Sequence, residues 1–126
     1  MSFCTAINCM DGRVQLPVIG FLKQRFAVEY VDSITEPGPI LILSEQTDQH
    51  RIDSIIRRID ISVYKHRSVG MAVVAHHDCA GDPVGKDEQL RQLDVAVKFI
   101  AKKYPSLPVI GLWVDENWAV SEINSI

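Results

Sequence analysis

The chain has 126 residues, 47% hydrophobic and 23% charged, the proportions of an ordinary globular protein with enough mass to bury one core. A formal net charge of −3 gives no electrostatic reason to expect nucleic acid or an anionic membrane surface as partner. No basic segment followed by a long apolar stretch precedes Cys9, and no run approaches the roughly 18 apolar residues of a membrane span.

Phe3 to Asn8 is a short apolar run that predicts a buried strand. Pro17 suits the start of a helix, and Leu16, Ile19, Gly20, Leu22, Lys23 and Phe26 supply its stripe. Val28 to Ile34 predicts a second strand. Glu36-Pro37-Gly38-Pro39 ends it in a loop of special shape, because two prolines flanking a glycine continue neither ladder nor helix.

The clearest helix spans Asp48 to His66, where Ile52, Ile55, Ile56, Ile59 and Val63 follow helical spacing. The basic residues between Arg51 and Arg67 are diluted by Asp53 and Asp60 and read as its solvated face. Val69 to Ala75 is unbroken in its apolar character, which predicts a strand covered on both faces. A further helix is expected from Asp87 to Tyr104, stopped by Pro105, and a strand from Pro108 to Val114. Asp115-Glu116-Asn117 turns the chain into a short antiparallel edge strand, Trp118 to Ile123.

The sum is an α/β fold, a three-layer α/β/α sandwich on a mostly parallel sheet of order 2-1-3-4 plus the edge strand, all in one domain over residues 1–126. Ligands of open parallel sheets bind at the carboxyl ends of strands where the chain order reverses. Here that point lies between the first and third strands, and both carry unusual chemistry. Cys9-Met10-Asp11-Gly12-Arg13 ends the first, and His76-His77-Asp78-Cys79 ends the third.

Two thiolates and an imidazole form a soft ligand set that prefers zinc, and three protein ligands leave a fourth position open, as in catalytic zinc sites. His76 and Cys79 have the two-residue gap that folds both side chains onto one centre. His77 points the other way on an extended chain and is read as a flanking residue. Cys4, inside the first strand, is read as a small buried hydrophobe. Asp11 can accept a hydrogen bond at the metal while the Arg13 guanidinium orients it and keeps it ionised. Taken singly, Cys9 and Cys79 could be core cysteines, Asp11–Arg13 a surface ion pair and His76 a partner of the backbone; their joint placement at two strand ends favours a metal. Three irregularly spaced cysteines also fit no disulfide framework, which points to a reducing, cytoplasmic setting.

Competing motifs are missing. Three residues, not five, separate Cys9 from Arg13, which rules against a cysteine-phosphatase loop, and there is no Cys-x-x-Cys, Gly-x-Ser-x-Gly, Walker or dinucleotide fingerprint.

Cys9-x-Asp11-x-Arg13 and Ala75-His76-x-x-Cys79-Ala80-Gly81 together resemble the β-class carbonic anhydrases. The resemblance implies Zn2+ held by Cys9, His76 and Cys79, an Asp11–Arg13 catalytic pair, and reversible hydration of carbon dioxide to bicarbonate. A small doubly wound domain with a short edge strand commonly pairs, so a homodimer or higher homo-oligomer is expected. It departs from the family at Gly12, where Ser is usual, at Ala75 and Ala80, where Gly is usual, and at Thr35-Glu36-Pro37-Gly38-Pro39, where an Arg-Asn-Ala-Gly-Asn-like loop is usual. With eight residues before Cys9, the N-terminal helices by which family members embrace a partner are not expected. Two further readings stay open: a zinc hydrolase of a carbon dioxide analogue such as carbonyl sulfide or carbon disulfide, and a non-catalytic zinc-binding module.

Overall fold

A computed structural model describes residues 1–125. Five strands form one sheet in the order β2-β1-β3-β4-β5: β1 (Phe3–Cys9), β2 (Tyr30–Glu36), β3 (Met71–His76), β4 (Val109–Val114) and β5 (Val120–Ser125). The first four run parallel and β5 returns antiparallel to β4, as the sequence predicts. The helices are α1 (Gly12–Arg25), α2 (Pro39–Glu45), α3 (Gln49–Asp60) and α4 (Lys86–Lys103). No helix among the described residues is long and apolar enough to cross a membrane.

Alternation along β3 builds both halves of the core. Met71, Val73 and Ala75 join Ile7, Ile34 and the apolar sides of α2, α3 and α4, whereas Ala72 and Val74 join Cys4, Ala6 and the inner side of α1. All six β3 residues are buried, the signature of a parallel strand covered above and below. The β1–β2 and β1–β3 pairings place the ends of both neighbours around Cys9, at the chain reversal.

Four expectations need correction. Helix α1 starts at Gly12, not near Pro17, because Asp11 caps it by accepting the Arg13 amide hydrogen at 2.9 Å. Pro17 therefore sits inside the helix, and the face turned inward is Val14, Val18 and Leu22 at i, i+4 and i+8. Leu16, placed in the expected stripe, is 80% exposed. The segment after Pro37-Gly38 is a helix, α2: Gly38 takes a left-handed conformation (φ 60°) and Pro39 pre-sets the first turn. Its apolar Ile40-Leu41-Ile42-Leu43 run carries no helical alternation, so the sequence pattern hides it.

The long helix expected from Asp48 to His66 is α3 followed by a π-helical turn, Ile61–Lys65. The extra residue in that turn directs Ser62 inward, where its hydroxyl lies 2.7 Å from both Thr5 Oγ1 and Asp32 Oδ2. Finally, β2, β3 and β5 begin at Tyr30, Met71 and Val120, each two residues later than expected, which leaves Trp118 in the loop before β5; at β2 this is because Ala27 adopts φ 53° and extends the turn after α1.

Candidate metal centre

Cys9 closes β1, His76 closes β3, and Cys79 follows in the turn after β3. One ligand atom from each lies within 4.8 Å of the others, and all three residues are buried. The two sulfurs are 3.9 Å apart, close to the roughly 3.8 Å expected of two thiolates about 2.3 Å from a tetrahedral ion. His76 supplies the deciding fit: its Nδ1 lies 2.7 Å from the His77 carbonyl oxygen, while its buried Nε2 has no hydrogen-bond partner. Donation from Nδ1 to a backbone carbonyl leaves the Nε2 lone pair free, the usual arrangement of a metal-bound histidine.

The scaffold that aims these groups is largely polar backbone chemistry. Gln89 on α4 brackets His76, accepting from its amide at 3.2 Å and donating to its carbonyl at 2.8 Å. The backbone at Gly38 and Asp11 helps to lower the Cys9 thiol, and that at Gly81 and Asp82 opposes the rise at Cys79. The loop at Pro37-Gly38, which departs from the resembled family in sequence, thus still serves a ligand.

Gly38 and Gly81 meet backbone to backbone. A Cβ on Gly81 would fall 2.5 Å from the Pro37 carbonyl carbon, and one on Gly38 would fall 2.8 Å from the Gly81 carbonyl carbon. Only glycines let the two turns approach this closely.

The two thiols titrate as a pair. The Cys79 hydrogen bond lowers Cys9 to about 4 against the opposing effect of burial, and the Cys9 sulfur and burial in turn raise Cys79. Burial resists charge on His76, yet its interaction with the Cys9 sulfur and the His77 carbonyl outweighs this and raises its pKa. A cation bound there would displace the protons that the thiols carry.

Asp11 and Arg13 flank this cluster. The Arg13 fork donates through Nε to Asp11 Oδ1 at 3.0 Å and through one Nη to Oδ2 at 2.7 Å. These bonds first, with the Arg13 charge, hold Asp11 down at about 2. Gln15 steadies the same segment by donating to the carbonyls of Cys9 and Asp11 at 2.7 and 3.0 Å. A cleft of about 370 Å³ opens beside the cluster, bordered by Cys79, Ala80, Gly85, Gln89 and Trp113.

The structure brings Cys9, His76 and Cys79 together and sets Asp11 and Arg13 at their side. His77 is exposed and outside the group, and Cys4 is fully buried with its thiol raised to about 11 by burial. Gln89, Gln15 and Asp78 escaped the sequence reading. No spacing rule marks Gln89, which acts across thirteen positions, whereas a glycine in the loop after β2 and another just after Cys79 were a usable signal for the Gly38–Gly81 contact.

A family model described as "Putative carbonic anhydrase" matches residues 1–124. The chain belongs to this carbonic anhydrase family. No curated protein matches the sequence. Among solved structures, the chain is similar to a β-carbonic anhydrase from Sordaria macrospora, at 14% identity and a TM-score of 0.57 over 96% of this chain and 80% of the other. That report describes two tetrameric enzymes. It is also similar to the β-carbonic anhydrase CafA of Aspergillus fumigatus, at 14% identity and a TM-score of 0.62 over 96% of this chain and 74% of the other. At that identity the two structures establish a shared fold.

Proposed function

We propose that this carbonic anhydrase family member binds zinc through Cys9, His76 and Cys79 and interconverts carbon dioxide and bicarbonate, with Asp11 and Arg13 as its catalytic pair. The observation that carries the reading is the buried His76 Nε2, without a hydrogen-bond partner and grouped with two sulfurs 3.9 Å apart.

Zinc held there would supply an acidified water near neutral pH and a positive charge against which oxygen charge can develop. The remaining work falls to the side chains. Asp11, ionised through the acid range, accepts the hydrogen of the attacking oxygen and so turns a lone pair toward the carbon of carbon dioxide. The C–O bond forms as one carbon–oxygen π pair moves onto oxygen, and the overall exchange is carbon dioxide plus water for bicarbonate plus a proton. Arg13 occupies both Asp11 oxygens and so opposes rotation of the carboxylate toward the cluster.

The three free thiols favour a reducing, cytoplasmic setting. Met10 and Leu16, 63% and 80% exposed beside the Asp11–Arg13 segment, favour a homo-oligomer that covers them.

Purified protein should carry about one zinc per chain and accelerate carbon dioxide hydration in a rapid-mixing assay. Absence of zinc binding after reconstitution would overturn the reading. Turnover of carbonyl sulfide or carbon disulfide in place of carbon dioxide would reassign the substrate.

A further inference from the structure

Arg13 is gripped from more sides than an ion pair with Asp11 requires. Its second Nη donates to Asp78 Oδ2 at 3.3 Å, the Nη that binds Asp11 also donates to the Asp78 carbonyl at 3.0 Å, and Cζ lies 4.4 Å from the centroid of the Trp118 ring. Asp78 and Trp118 come from different loops, one after β3 and one between β4 and β5. Both have left-handed backbones, φ 57° and φ 60°. That conformation suits aspartate tolerably and tryptophan poorly.

The β4–β5 loop shows why the strain falls on Trp118. Asp115 ties the loop by accepting the amides of Asn117 and Ala119 on Oδ1 at 2.8 and 3.0 Å, and its carbonyl accepts the Trp118 amide at 3.0 Å. The left-handed position in this register is Trp118, although Asn117, a residue far better suited to it, stands next door. Moving the turn by one residue would relieve the backbone and carry the indole away from Arg13. Strain of this kind persists where the surroundings over-determine it, and it gathers at functional sites.

We propose that Trp118 is a positioning residue: its ring lies against the Arg13 guanidinium, with Asp78 at the fork's outer edge, and locks Arg13 in the one orientation that holds both Asp11 oxygens. The ring also screens one face of the ion pair from water, which strengthens both the cation–π contact and the hydrogen bonds to Asp11. This role rests on the carbonic anhydrase reading for its catalytic meaning, while the lock itself is a property of the side chains.

The test compares Trp118→Leu, which keeps an apolar side chain against the core, with Trp118→Phe, which restores an aromatic face. Rotation of the Arg13 guanidinium is read by nitrogen-15 NMR of its Nε–H, assigned through Arg13→Lys, on zinc-reconstituted protein of matched metal content. Rotation should quicken about tenfold in Trp118→Leu and return near the wild-type rate in Trp118→Phe. Carbon dioxide hydration should fall about tenfold in kcat, with smaller change in KM, and recover in parallel. Equal Arg13 rotation in all three proteins would overturn the proposal, as would freed rotation with full turnover. Wild-type protein that shows the lock but no turnover would overturn the carbonic anhydrase reading instead, so the two failures are distinct.

Discussion

The Nδ1 atom of His76 lies 2.7 Å from the carbonyl oxygen of His77, its immediate neighbour, and this one contact fixes which ring nitrogen faces the two cysteines. With Nδ1 committed as a donor, Nε2 is the atom free to ligate a metal, and the imidazole needs no external base to present it.

Cys79→Ser should therefore abolish stable zinc binding with the fold retained. A serine hydroxyl is a far poorer soft ligand than a thiolate, and two of three donors do not hold the ion. Metal analysis after dialysis, beside circular dichroism, checks this. A variant that kept one zinc per chain would remove Cys79 from the ligand set.

Asp11→Asn separates capping from chemistry. Asparagine caps helices about as well as aspartate but cannot keep the charged pair with Arg13, so stability near neutral pH should fall modestly and zinc content not at all, while carbon dioxide turnover falls about a hundredfold or more. The variant also alters the acid limb of stability. The folded carboxyl is held at about 2, below its ordinary 3.8, so its contribution is complete above the ordinary value and drains away as pH falls toward 2. Denaturation midpoints of wild type and variant should converge across that interval.

Gly81→Ala drives a methyl group into the backbone at Pro37, with no flexible side chain to give way. We expect a loss of about 1 to 3 kcal/mol in urea denaturation together with weaker zinc affinity in competition with a chelator, because the turn that carries Cys79 is pushed off the loop that serves Cys9.

Gln89→Leu leaves the amide and carbonyl of His76 without the partners described above, at a cost of about 1 to 3 kcal/mol for each group left unsatisfied. Calorimetric unfolding of the metal-free protein reads this directly, separate from any change in zinc affinity.

How much of this was legible beforehand depends on what each feature rests on. Strands β1, β3 and β4 declare themselves as apolar runs because parallel strands are buried on both faces, and the order of the sheet follows from how such strands connect. Helix α2 and the π-helical turn stay hidden because their conformations answer to neighbours: Gly38 pressed against Gly81, and Ser62 drawn inward to Thr5 and Asp32. At the site, Cys9, His76 and Cys79 stand out by residue type, and Asp11 and Arg13 by adjacency. Trp118 does not, since its partner lies 105 positions away and its only local mark is a left-handed backbone that the sequence gives no reason to expect.

The ligand cluster also sets an order of events. Cys9 leaves the ribosome before its partners, and His76 and Cys79 follow only after 67 and 70 further residues have been added. A nascent chain therefore carries Cys9 without its partners over that stretch, and capture of an ion by all three groups must wait for β3 to dock beside β1. Zinc uptake at this site would in this way be a late checkpoint of assembly, one that rewards chains whose distant halves have already met.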